Sequence, residues 1–257
     1  MSDQTRLIIA APPDTIRDAT SYALPVAHMA YRIGPNLQLL RANMSINLRA
    51  GLMAIGCVAP PKQGDVISFC RQVIRECSMR NFDGIILDFE GPSHPLLEQI
   101  IDKMSSIITP RGWPLFVPEQ YASAAAQGKI MISSALSGGS LQQRISDAVA
   151  RFGAQRIALC VQRVAEDFTL PAPSGCGTPI DPKKLKQQIQ TRGANVHFST
   201  ELCAHYFTYM SQGNAHFVLF DTANSLRKKV QIAKTFGLYA CIFAWPEISN
   251  EIDAILS

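Results

Sequence analysis

Short apolar runs alternate with helix-patterned stretches along almost the whole chain, and that alternation constrains the fold more than any other feature of the sequence. RLIIAA (6–11), VAHMAY (26–31), GLMAIGC (51–57), GIILD (84–88), KIMISS (129–134), RIALCV (156–161), the weaker 195–199 and LYACIFAW (238–245) read as eight strands. Residues 65–80 carry Val66, Phe69, Cys70, Val73, Ile74 and Cys77 on one face at helical spacing, which predicts an amphipathic helix. Further helices are expected at 94–108, from the Gly138-Gly139 turn through 152, at 182–191 and at 225–236. Strands that alternate with helices imply a parallel α/β architecture. An open doubly wound sheet satisfies that periodicity too. The count of eight and the length of 257 residues favour a single closed (β/α)8 TIM barrel over 1–257. Two segments stand outside the repeat. One is 109–127, read as an excursion between the fourth and fifth strands. The other is 201–222, in which 216–220 is a candidate extra strand.

Composition narrows the function classes. Hydrophobic residues make up 47% of the chain and charged residues only 17%, which suits a packed core rather than a disordered chain. The net charge of +4 is spread over scattered residues such as Lys183, Lys184, Lys186 and Arg227–Lys229, without interleaved aromatics. No nucleic-acid partner is expected on that ground. No apolar run approaches the length of a membrane span, so no membrane partner is expected. The apolar run near the N-terminus is too short for a signal peptide, and seven cysteines without a CxxC read as reduced, buried thiols. A cytoplasmic setting follows as the expectation. The five histidines and the cysteines show no ligand spacing, so no metal is expected. No phosphate-cradling GxGxxG or GxxxxGK[ST] pattern occurs, and no cofactor is expected.

The richest segment chemically is Phe82-Asp83-Gly84-Ile85-Ile86-Leu87-Asp88-Phe89-Glu90. Side chains alternate along a strand, so Asp88 and Glu90 share one side. At the carboxyl end of a barrel strand they stand on the face where barrel enzymes carry out their chemistry. Neighbouring carboxyls in a partly apolar pocket repel, which raises the pKa of one and prepares it to act as an acid.

This segment resembles the D-G-x-D-x-D-x-E signature of glycoside hydrolase family 18, the chitinase-like enzymes. Asp83, Gly84, Asp88 and Glu90 match, and Ile86 stands where the middle Asp is usual. Replacement of that middle acid is similar to the branch of bacterial spore-cortex-lytic N-acetylglucosaminidases. The stretch 216–246 also resembles the family's C-terminal motif, with Asp221, Ser225, Lys229, Gly237 and Trp245 in matching places. The resemblance implies a barrel that cleaves N-acetylglucosamine-containing glycans with retention. Glu90 would protonate the glycosidic oxygen and Asp88 would orient the substrate's own 2-acetamido group for attack on the anomeric carbon, the substrate-assisted route. Trp245 would floor the sugar pocket, and Asp83 belongs to the substrate-binding signature. The family's M-x-Y-D tyrosine, sought at the end of the sixth strand in Leu159-Cys160-Val161-Gln162-Arg163, is missing, and Tyr206 and Tyr209 are the candidates to replace its hydroxyl. Gln162 and Arg163 are expected to contact ligand, Arg163 suiting an anionic group such as a muramyl carboxylate. Ser133, Ser134 and Ser137 are candidate cleft residues.

The implied partner is an oligosaccharide or a peptidoglycan-like glycan, and the resemblance adds a spore-associated setting to the cytoplasmic expectation. Beside the glycosidase stands a second reading: a catalytically degenerate barrel of the same kind that binds glycan or serves as a spore structural protein, since a fold alone does not fix a function. A metal-dependent barrel hydrolase that keeps the acidic pair by coincidence is the third.

Overall fold

The computed structural model describes residues 4–42, 50–172 and 175–256. Its strands, in chain order, are β1 (Arg6–Ala11), β2 (Val26–Ile33), β3 (Leu39–Arg41), β4 (Leu52–Cys57), β5 (Gly84–Phe89), β6 (Leu115–Pro118), β7 (Lys129–Ser133), β8 (Ile157–Cys160), β9 (Ala165–Leu170), β10 (Thr178–Pro179), β11 (His197–Ser199), β12 (Ala204–Ser211), β13 (Asn214–Phe220) and β14 (Ala240–Ala244). The helices are α1 (Ile16–Ala19), α2 (Val66–Arg80), α3 (Pro95–Ile108), α4 (Leu141–Phe152), α5 (Pro182–Arg192), α6 (Ala223–Thr235), α7 (Trp245–Ile248) and α8 (Ile252–Leu256). Parallel pairing runs β1-β2-β4-β5-β6-β7-β8-β14 and back to β1, which closes an eight-stranded barrel. The expected (β/α)8 barrel is thus the fold. β3 adds to β2 as an antiparallel edge strand.

Two assignments change. The fifth barrel strand is β6, inside the stretch read as an excursion, so KIMISS is the sixth barrel strand and RIALCV the seventh. Residues 197–199 do not enter the barrel. They edge a separate antiparallel sheet of order β10-β9-β13-β12-β11, inserted between barrel strands seven and eight. The candidate strand at 216–220 forms most of β13 in that sheet. Of the Pro/Gly/Ser-rich loop at 170–179, residues 173–174 lie outside the described residues.

Each barrel strand is buried on both sides, so its two residue sets split between two cores. Ile8, Ala27, Leu52, Ala54, Ile86, Phe116, Ala158, Ala240 and Ile242 fill the barrel interior. The alternate residues, among them Ile9, Met53, Ile85, Leu87, Phe89, Cys241 and Phe243, pack against the helices. The helices begin where the sequence supplies a cap. Asp65 accepts the Ser68 N–H at the start of α2 (3.0 Å), and Asn81 closes that helix in the left-handed region at φ 55°. Thr222 and Ser225 form a reciprocal capping box at the start of α6.

The insert meets the barrel at more than one place: the Leu141 N–H donates to the Glu201 carbonyl (2.8 Å), Cys203 packs in the core between strands and helices, and a polar junction ties the two ends of the insert. Where the chain leaves β8, the Val164 N–H donates to Asp221 Oδ2 (2.9 Å), and the Asp221 N–H donates to the Val164 carbonyl (2.8 Å). Ser225 donates to Asp221 Oδ1 (2.7 Å) and Lys229 Nζ to Oδ2 (2.7 Å). The side chains of Lys229 and Asp221 are 1% and 0% exposed. Breaking a buried pair from one side strands the other charge. Lys229→Met is therefore expected to lower stability by about 3–5 kcal/mol, read as a shift of the urea midpoint at unchanged m-value; a loss below about 1 kcal/mol would assign the pair no structural weight.

Candidate active site at the barrel mouth

β5 alternates Gly84, Ile86 and Asp88 inward with Ile85, Leu87 and Phe89 outward. Asp88 therefore reaches the mouth of the barrel. Glu90, one step past the strand end, lines the same opening. The loop that carries Glu90 is held from two sides. Its N–H donates to the Cys57 carbonyl (3.0 Å). Gln120 Nε2 donates to the carbonyls of Phe89 (3.3 Å) and Gly91 (3.0 Å), which bracket Glu90.

The opening is an open cleft of about 390 Å3, walled by Asp88, Glu90, Glu119, Gln120, Ser133 and Arg144 among others. Arg144 pairs with Glu119 through both guanidinium nitrogens. Asp88 opens toward the cleft, while protein surrounds it on its other sides. Burial, then the charge of Glu90, push its carboxyl above the ordinary value of 3.8. Ile86, in the place of a third acid, lies 4% exposed in the apolar interior.

Of the other candidate residues, Gln162 belongs to this site. It lines the cleft, its side-chain carbonyl accepts from Ser133 Oγ (2.5 Å), and its backbone N–H donates to Ser134 Oγ (3.1 Å). The sixth barrel strand ends in Met131-Ile132-Ser133-Ser134, so the tyrosine sought there is absent from the true strand six as well. Arg163 turns away: its guanidinium binds the Glu247 carbonyl (3.2 Å) and Glu251 Oε1 (2.8 Å). Trp245 is not a pocket floor. It shares the outward parity of Cys241 and Phe243, is 4% exposed and packs on Tyr22 at 5.4 Å, while Ala244 faces the mouth instead. Asp83 stands at the opposite end of the barrel, where with Arg6, Trp113 and Pro114 it lines a separate cavity of about 250 Å3.

Tyr206 and Tyr209 lie in the inserted sheet on opposite faces, because they are three residues apart. Tyr206 stacks on Phe217 (5.3 Å). Tyr209 stacks on His216 (4.5 Å) and donates to Asp167 Oδ2 (2.5 Å). Neither lines the cleft that holds Asp88 and Glu90. Ser137 lines a small cavity against the insert, with Val164, Glu166 and Phe168. Glu119, Gln120 and Arg144 were not singled out from the sequence. Glu119 and Gln120 directly follow β6, so recognising Leu115–Pro118 as a barrel strand would have placed them on the active face. Among the described residues no cluster of three or more His, Cys, Asp or Glu is placed to hold a metal ion.

An acid kept above its unfolded pKa favours folding below that unfolded value and loses this contribution as pH rises through the folded pKa. At neutral pH, ionised Asp88 is thus a destabilising charge. Asp88→Asn is expected to raise Tm at pH 7, with the gain gone at pH 3; equal Tm values for both proteins at pH 7 would contradict the strained carboxylate.

No protein-family model matches the chain, and no curated protein matches it by sequence. Solved structures do. The C-terminal domain of a putative chitinase from Desulfitobacterium hafniense superposes with a TM-score of 0.69 at 14% identity, covering 98% of this chain and 97% of that one. The spore cortex-lytic enzyme SleL of Bacillus megaterium gives 0.67 at 12% identity over 93% of this chain and 70% of SleL. A family 18 chitinase from Cycas revoluta, solved with (GlcNAc)3, gives 0.63 at 15% identity over 98% and 97%. The fold is that of the chitinase-like family 18 barrels.

Proposed function

We propose that this protein is a retaining glycosidase acting on N-acetylglucosamine-containing glycans, with Glu90 as acid and base and Asp88 as the residue that orients the 2-acetamido group. The carrying observation is the placement of Asp88 and Glu90 at the carboxyl end of the fourth barrel strand, both lining one open cleft. In the first step Glu90 gives its proton to the leaving oxygen. The acetamide oxygen attacks the anomeric carbon, and Asp88 takes up a hydrogen bond from the acetamide N–H as positive charge develops on the oxazolinium ring. Glu90, now a carboxylate, removes a proton from the water that opens that ring. Gln120 keeps Glu90 aimed at the cleft by fixing the two carbonyls beside it. The Ser133–Gln162 pair occupies the wall where a tyrosine hydroxyl is usual, and we assign the Gln162 amide N–H to the acetamide carbonyl.

Cortex peptidoglycan fragments are the favoured substrates over chitin, and a spore-associated setting belongs to the same proposal. Both rest on the likeness to SleL and to a putative sporulation-specific glycosylase of Bacillus subtilis, which superposes at a TM-score of 0.62. The paired Arg144 and Glu119 at the cleft wall are the charged groups that a muramyl carboxylate would meet, in place of Arg163.

Two observations favour the second reading, a barrel that binds glycan without cleaving it: serines end the sixth strand, and Trp245 turns outward. Hydrolysis separates the two. Wild type is expected to cleave a fluorogenic chitobioside or purified cortex muropeptides, and Glu90→Gln to lose at least about 100-fold in kcat. Folded wild type that cleaves neither substrate would leave the binding-only barrel as the function.

A further inference from the structure

We infer that the site accepts an N-acyl group longer than acetyl on the sugar nitrogen, seated in an apolar cavity beneath the carboxylates. The inference rests on the glycosidase reading and specifies its substrate.

Below the cleft lies a second cavity of about 140 Å3, lined by Ala10, Ala54, Ile86, Met131, Ile242 and Ala244. Asp88, Met131, Cys160 and Gln162 line both spaces, so the two are continuous through them. The outer space is bordered by ionised and amide side chains and suits the hydroxyls of a sugar. The inner one is walled mainly by aliphatic side chains, with Asp88, Cys160 and Gln162 where it adjoins the outer one. Its size comes from the strand register. Ala10 pairs with Ala244, and Ala54 stands beside Ile86, so three alanines line this space. The bulk that position 245 supplies is directed outward onto Tyr22.

The space opens to solvent past Met29, which is 40% exposed, so an acyl chain entering it displaces water from apolar walls. The methyl of an acetamide leaves most of this volume unfilled. An acyl chain of four carbons fills far more of it, while its amide remains at the level of Asp88 and Gln162. Each added methylene that leaves water is worth about a fourfold gain in affinity. Glu247 also borders the cavity, and its carboxylate accepts from the Arg163 N–H (2.8 Å).

The test is calorimetric binding of N,N′-diacetyl-, dipropionyl- and dibutyryl-chitobiose to full-length Glu90→Gln protein, which holds substrate without turnover. The dibutyryl sugar is expected to bind about fifteenfold tighter than the diacetyl one, from two methylenes entering the cavity. Ala244→Leu in the same background is expected to cut that gain below about twofold, because its side chain takes the same volume. Equal or weaker binding of the dibutyryl sugar, with the diacetyl sugar bound, would overturn the acyl inference and leave the glycosidase reading standing. A full gain retained in Ala244→Leu would overturn it too, since the chain would then lie elsewhere. Failure of every sugar to bind, together with no hydrolysis by wild type, would remove the glycosidase reading and this inference with it.

Discussion

One buried carboxylate ties the inserted sheet and the helix after it to the barrel. Asp221 gathers the Val164 N–H, the Ser225 hydroxyl and the Lys229 ammonium, all away from water. Val164 is where the chain leaves the barrel for the inserted sheet, Asp221 is where it returns, and Lys229 belongs to the helix that follows. An unpaired charge at this depth costs several kcal/mol, so the pair persists only because the remaining lone pairs are also occupied. The junction adds a side-chain anchor beside β14, which its backbone ladders with β8 and β1 hold in place. Closure of the barrel rests on those ladders, and the Asp221 contact fixes where the inserted sheet leaves and rejoins them.

The mouth in turn depends on which side of each strand faces in. β5 sends Asp88 inward and Phe89 outward by simple alternation, and the cleft inherits its acids from that parity. Gln120 then limits where Glu90 can go, without touching the carboxylate, by binding the peptide carbonyls on either side. The apolar interior below Asp88, with Ile86 as its nearest inward neighbour on the strand, supplies the desolvation that lifts its pKa. Acidity at this site is therefore a property of the barrel's packing as much as of the pair itself.

Much of this was legible in the sequence, and the misreadings have physical causes. The acidic pair was visible because an uninterrupted apolar run ended on D-x-E. The barrel count came out as eight through two offsetting errors. β6 is only Leu115–Pro118, flanked by prolines, and reads as loop. His197–Ser199 has strand character but pairs in the insert. Trp245 was assigned to the wrong side because a strand buried on both faces carries no alternation to reveal its parity. Arg163 followed the same pattern: the sequence placed it at a strand end, but the partners that turn it away, Glu247 and Glu251, lie far along the chain. Tyr206 and Tyr209 were candidates only for their hydroxyls, and long-range placement in a second sheet is not a local signal.

The Val164–Asp221 junction has a consequence for how such a chain can diversify. Their mutual backbone and side-chain hydrogen bonds bring together two residues 57 positions apart, so to the barrel the whole inserted sheet presents the closely spaced ends of a loop. The loop-closure entropy of a segment grows only with the logarithm of its length. Changes of length within the insert therefore cost the scaffold little chain entropy, provided the pair and the contacts that Glu201 and Cys203 make with the barrel are kept. Within those limits the insert is a cassette: its length can vary while the eight strands and the acids they carry keep their geometry.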